Sequence, residues 1–338
     1  MVYSFTNDYS EGAHPRILES LMKSNLIQHT GYSLDCHTEH AARLIRKEIQ
    51  CENAEVHLIV GGTQTNLITI CTALRPFQAV ISASTGHINV HETGAIEATG
   101  HKVLAMPAAD GKLTPALIQE ALDFHTDEHM VQPKMVYISN STEIGTQYKK
   151  AEVEALHHIC RQKGLYLFMD GARLGSALTS SVNDLTLEDI ARLTDVFYIG
   201  GTKNGALFGE ALVIINDALK PDFRFMIKQR GAMLAKGWLL GIQFEELFQN
   251  HLFYELATHA NEMADQLKKA LIAKGYSFAY DSTTNQLFPI FSDEKIACLE
   301  KEFSFNIDKR VDEAHRSIRL VTSWATTQEG VQAFIGAV

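Results

Sequence analysis

Seven short runs of unbroken apolar, β-branched or aromatic residues recur along the first two thirds of the chain. They lie at Val56–Val60, Ala79–Ser82, Lys102–Ala105, Lys134–Ile138, Leu165–Met169, Asp195–Ile199 and Ala211–Ile215. Continuous rather than alternating apolarity predicts strands buried on both faces. The stretches between them carry helical periodicity, as in Lys150–Lys163 with Val153, Leu156, His157 and Cys160 on one side. Together they predict an α/β fold, a mainly parallel seven-stranded sheet between helices. After Asn216 the rhythm changes. Phe223–Phe248 and Phe253–Lys274 read as long helices, Gln286–Phe291 and Ser317–Ser323 as strands, and Gln328–Val338 as a last helix. The expected organisation is a large α/β domain over 29–248 and a smaller α+β domain over 249–338. An N-terminal segment, 1–28, with a helix at Pro15–Ile27, is expected to pack beside the small domain. A chain of 338 residues suits this division, because single cores stop growing at roughly 250–300 residues.

The formal charge of −10 and the lack of a basic stripe disfavour nucleic acid as partner, since that affinity comes largely from cations on phosphates. No apolar run reaches the roughly 20 residues of a membrane span, and Met1–Arg16 has neither a basic nor an apolar leader region. A cytoplasmic protein with a small-molecule ligand is the expectation. The five cysteines are odd in number and scattered without a C-x-x-C pair, which argues for reduced thiols.

Three constellations stand at predicted strand ends. Gly61-Gly62-Thr63-Gln64-Thr65-Asn66 follows Val56–Val60 and opens an apolar helix, Leu67–Leu74. Such a turn presents free N–H groups and a positive helix end to a phosphate, or it is simply a tight turn with Thr63 as N-cap. Asp170-Gly171-Ala172-Arg173 follows Leu165–Met169, at the edge where open α/β sheets bind ligands; the alternative is a helix-capping aspartate. Gly200-Gly201-Thr202-Lys203-Asn204-Gly205 follows Asp195–Ile199. A lysine there is either a partly desolvated amine, made nucleophilic by burial, or an exposed turn residue. An anion cradle, a carboxylate and an amine are together what pyridoxal 5′-phosphate requires: donors for its phosphate, an anion for its ring nitrogen and an amine for a Schiff base.

With these motifs in order, the chain resembles the threonine aldolase and β-eliminating lyase family of fold-type-I pyridoxal-phosphate enzymes. The likeness covers nearly the whole length. It is carried by Phe5-Thr6-Asn7-Asp8-Tyr9, Gly62-Thr63-Gln64-Thr65-Asn66, Gly86-His87 with His91-Glu92-Thr93-Gly94-Ala95, Asp170-Gly171-Ala172-Arg173, Thr202-Lys203 and Ile318-Arg319-Leu320-Val321-Thr322-Ser323-Trp324. The resemblance implies that Lys203 forms the Schiff base, Asp170 pairs with the ring nitrogen and His87 stacks on the ring. It implies that Gly62, Thr63, Gln64 and Thr202 hold the phosphate, and that Arg173 and Arg319 clamp the substrate carboxylate. Asn7 stands where the family usually has serine in contact with that carboxylate, and Glu143 stands where many threonine aldolases have a second histidine. The implied reaction is cleavage of the Cα–Cβ bond of threonine or allo-threonine to glycine and acetaldehyde, with His87, Glu143 or water as base. β-Elimination, racemisation or transamination on the same cofactor is the alternative. The resemblance further implies a homo-oligomer, dimer or tetramer, with the active site between subunits and Lys228, Arg230 or Lys236 approaching a neighbour's phosphate.

No metal site is expected. His87 and His91 have the i, i+4 spacing of paired ligands but no third histidine, and Cys36-His37-Thr38-Glu39-His40 and His157-His158 read as polar faces of helices or loops.

Overall fold

The computed structural model describes residues 2–338. All seven apolar runs form one sheet, ordered Glu55–Ile59, Glu210–Ile214, Val196–Gly200, Tyr166–Asp170, Gln132–Ser139, Gln78–Ala83 and Lys102–Met106. Every pairing is parallel except those of Glu210–Ile214, which runs antiparallel to both neighbours. Alternate residues of these strands feed two cores. Val136, Ile138, Leu167, Met169 and Phe197 pack under Ala41, Ile45, Val153, Leu156, Ile190 and Phe244 from helices on one face. Met135, Tyr137, Phe168 and Val196 pack under Ile68, Ile70, Phe223 and Ile227 on the other. A side chain buried this fully contributes roughly 1.5–3 kcal/mol, so the continuous apolarity of the strands reflects cover on both faces.

A third core joins Phe5, Leu267, Leu271, Phe291, Phe303, Ile318 and Phe334 in the C-terminal part. There the helix Leu252–Ala273 and the helix Gln328–Ala337 lie with a small antiparallel sheet of Ile290–Ser292, His315–Val321 and Asn306–Arg310, to which Gln286–Leu287 adds a fourth strand against His315–Val321. The N-terminal segment divides between the two parts. Strand Tyr3–Ser4 pairs with Phe303–Ser304 in the small unit. Helix Pro15–Ser24, expected beside that unit, buries Ile17 in the large core, and Ser20 Oγ donates to Glu246 at 2.6 Å.

Local corrections have plain causes. Phe223–Phe248 is two helices, Phe223–Gln229 and Trp238–Phe248, separated by residues 230–237, where Gly231 takes a φ of 72° that glycine adopts without strain. Gln286–Phe291 is divided by Pro289, which has no N–H for a ladder. The helix after the first glycine turn starts at Gly62 with Gly61 as its cap, not at Leu67 with Thr63 as cap.

Candidate active site

The sheet edge at the carboxyl ends of the parallel strands assembles the chemistry. Gly61 and Gly62 follow Glu55–Ile59, Asp170 ends its strand, Ser139 ends Gln132–Ser139 and Lys203 follows Val196–Gly200. Glu210 opens the antiparallel strand, so its amino end meets the same edge. Close backbone approach needs glycine here: a Cβ on Gly171 would lie 1.9 Å from the Tyr198 carbonyl oxygen, and one on Gly200 would lie 2.3 Å from that of Ala172.

One cavity of about 340 Å³ is lined by Gly61, Gly62, Thr63, His87, Glu143, Asp170, Arg173, Thr202 and Lys203, with Tyr198 and Glu210. The three constellations, far apart in sequence, therefore converge. No side chain caps the helix Gly62–Ala73, so its first N–H groups and dipole are open to an anion. A side chain on Gly62 would meet the Tyr198 hydroxyl at 3.1 Å, which keeps that cradle clear.

Asp170 forms the floor. Tyr137 donates its hydroxyl to Oδ2 at 2.5 Å, Asn66 donates to the same oxygen at 3.2 Å and the Ala172 N–H donates to Oδ1 at 2.9 Å. Asn66 also donates to Glu92 at 2.7 Å, and Glu92 meets His87 Nδ1 at 2.7 Å. Burial works against a proton on His87, but the Glu92 bond and the charge of Asp170 outweigh it, so its pKa is raised. Burial pushes Lys203 below the ordinary lysine range, with Arg173 adding to the effect. Burial likewise lifts Glu210 to about 8. Glu143 is also raised by burial; its Oε1 accepts from Ser139 Oγ at 2.7 Å and from the His87 N–H at 2.8 Å.

At the mouth, Arg173 grips Asp8 with two bonds, Nε to Oδ2 at 2.8 Å and Nη2 to Oδ1 at 3.0 Å, and Asn285 adds a third to Asp8 at 2.9 Å. Burial would raise Asp8, but the charges of Arg173 and Lys203 overcome it and hold the carboxyl below its usual range. Arg319 lines an adjoining cavity of about 490 Å³ that shares Glu143 and includes His91. Its Nη2 reaches the Thr6 carbonyl at 3.4 Å, while its buried Nε has no partner. His87 and His91 have ring centroids 5.6 Å apart.

Besides Arg319, two expected contacts do not line the main cavity. Asn7 accepts from the Tyr9 N–H at 2.9 Å and from Ser10 Oγ at 3.0 Å within its own turn. Gln64 donates to the Arg230 carbonyl at 3.3 Å. Of the three cations expected to approach a neighbouring subunit, Lys228 sits 4.9 Å above the Tyr32 ring. Asp8 and Glu210 were not anticipated. Asp8 lies within a matched motif, yet its partner is 165 residues away, and Glu210 stands at a strand's beginning, whereas the three sequence constellations stand at strand ends.

The residues fit pyridoxal phosphate, and an open α/β sheet with this edge is the fold of the fold-type-I enzymes that use it. Comparison with known proteins agrees. The family model for β-eliminating lyases matches residues 22–294, and the chain belongs to that family. It is 32% identical over 305 residues to the low specificity L-threonine aldolase of Pseudomonas sp. (strain NCIMB 10558), covering 88% of this chain and 87% of that one. It is similar to a solved structure of the Leishmania major threonine aldolase at 56% identity and TM-score 0.98, over 99% of this chain and 98% of that chain. A single mutant of Thermus thermophilus aspartate aminotransferase shares the fold alone, at 16% identity and TM-score 0.74, over 99% of this chain and 90% of that chain.

Proposed function

We propose that this enzyme is a pyridoxal-phosphate-dependent aldehyde-lyase that splits threonine or allo-threonine into glycine and acetaldehyde. The observation that carries the reading is the convergence of Lys203, Asp170 and the uncapped helix at Gly62 on one cavity. When bound, the cofactor supplies a sink for the electron pair left on Cα as the Cα–Cβ bond breaks. Lys203 would hold it through its amine, the N–H groups at Gly62 and Thr63 with the Thr202 hydroxyl would hold its phosphate, and His87 would contact its ring. Asp170, fixed by Tyr137, Asn66 and the Ala172 N–H, would favour a proton on its ring nitrogen. Arg173 and Arg319 orient the substrate carboxylate, and bidentate guanidinium geometry suits that task. Glu143 takes the β-hydroxyl proton: its raised pKa places it nearer the range in which a carboxyl exchanges protons at neutral pH.

A homotetrameric assembly and a cytoplasmic location belong to the same proposal. An exposed cleft formed by Tyr32, Leu34, Phe225 and Met233 is apolar enough to seat a second copy, and all five cysteines are free thiols. Among the described residues no helix is long and apolar enough to cross a membrane. The test is incubation of the cofactor-loaded protein with L-threonine, L-allo-threonine and L-serine. Acetaldehyde and glycine in equal amounts from either threonine isomer are expected; pyruvate from serine without acetaldehyde from threonine would overturn the assignment. Light scattering on the eluting protein reports the assembly.

A further inference from the structure

Three groups that the active site does not use meet where the chain enters the helix Cys36–Glu48. Ligating atoms of His29, Cys36 and His37 all lie within 4.8 Å of one another. None of the three lines the cavity around Lys203. The sequence offers Cys36-His37-Thr38-Glu39-His40 no complementary ligand pair at a recognised spacing; the fold supplies His29, seven residues upstream of Cys36.

The surroundings single the cluster out. His29 stacks on Trp238 with ring centroids 4.6 Å apart and meets the His37 ring edge-on at 5.1 Å. Its Nε2 is buried without a hydrogen-bond partner, which is costly unless something occupies it. His37 is held through Nδ1 by Glu245 at 2.5 Å, and the other oxygen of Glu245 meets His40 Nδ1 at 2.7 Å. With Nδ1 taken by Glu245, Nε2 is the His37 nitrogen left for a metal, and a carboxylate on the second ring nitrogen is a common way to orient a metal-bound imidazole. Cys36 is exposed and leaves a path from solvent. A tetrahedral zinc ion with nitrogens at 2.0–2.1 Å and sulfur at 2.3 Å would space these ligand atoms by about 3.3–3.6 Å. The triad therefore closes with side-chain shifts of about 1 Å.

We propose that His29, Cys36 and His37 form a three-ligand site for a divalent cation of the zinc class, oriented by Glu245. Mixed imidazole and thiolate ligands favour such borderline-soft ions over calcium or magnesium. Cys36 gives up its thiol proton to solvent as the sulfur–metal bond forms, and a fourth coordination position stays open to water or an exogenous ligand. The site is independent of the reaction assigned to Lys203.

The test titrates metal-stripped, pyridoxal-phosphate-loaded protein with Co²⁺ and then Zn²⁺. One Co²⁺ per chain is expected, with a thiolate-to-cobalt absorption band that Zn²⁺ abolishes. Cys36→Ser should lose the band, while Cys298→Ser, which removes another exposed thiol, should keep it. Glu245→Gln should weaken binding roughly 10- to 100-fold, as loss of an orienting carboxylate does. Absence of the band in the unsubstituted protein, or its survival in Cys36→Ser, would overturn the proposal. The first of these readouts needs no variant, so it stands even if a substituted protein fails to fold.

Discussion

The floor and the mouth of the cavity are built on different terms. On the floor, Asp170 is buried and already holds bonds from Tyr137, Asn66 and the Ala172 N–H. At the mouth, Arg173 is occupied by Asp8, and Arg319 keeps a buried Nε unpartnered. The floor is complete before any ligand arrives, so its charge acts without reorganisation. The mouth is not: under the proposed function an incoming carboxylate would share Arg173 with Asp8 and would meet the unpartnered Arg319. On that proposal the cofactor end is preorganised and the substrate end is the place to look for selectivity.

Substitutions on the floor should have the larger effects. Lys203→Ala should retain the cofactor noncovalently yet lose turnover to the limit of detection; normal activity would remove Lys203 from the reaction. Asp170→Asn should lower kcat by roughly 10²–10³, the scale of removing one preorganised electrostatic partner, and should also weaken cofactor binding. At the mouth, Arg173→Lys keeps the charge but loses the two-pronged geometry. A charge-assisted bond of about 1.5–3 kcal/mol corresponds to a rise in KM of roughly ten- to a hundredfold with a smaller change in kcat. A kcat loss equal to that of Asp170→Asn would erase the distinction between the two ends.

The smallest effect is a pH dependence. The Glu210 carboxyl, held by burial near 8 against an ordinary value of 4.5, keeps its proton in the folded chain after the unfolded chain has lost it. Its contribution to stability is full below about pH 4.5 and declines as pH rises through about 8. Glu210→Gln should match the parent in acid and unfold at a higher temperature than the parent above pH 8, as thermal melts across that range would record. A less stable variant in alkali would mean that Glu210 is ionised and paired with Lys203.

The central sheet was legible because strands covered on both faces leave unbroken apolar runs, and the constellations at their ends were legible because glycine marks sharp turns. The small unit was less so. Asn306–Arg310 is an edge strand whose residues are mostly exposed, so its composition, Asn-Ile-Asp-Lys-Arg, carries no burial signal. The break between Gln229 and Trp238 was hidden by the helix-forming residues around Gly231. Asp8, by contrast, needed the fold itself, because only the return of the N-terminus to the sheet edge brings it to Arg173.

Borohydride reduction of the protein incubated with pyridoxal phosphate, followed by mass mapping of its peptides, addresses the convergence at this edge most directly. A single reduced adduct on the peptide carrying Lys203 is the expected result, reduced in yield when Asp170 is replaced. Label spread over surface lysines, or none on Lys203, would contradict it.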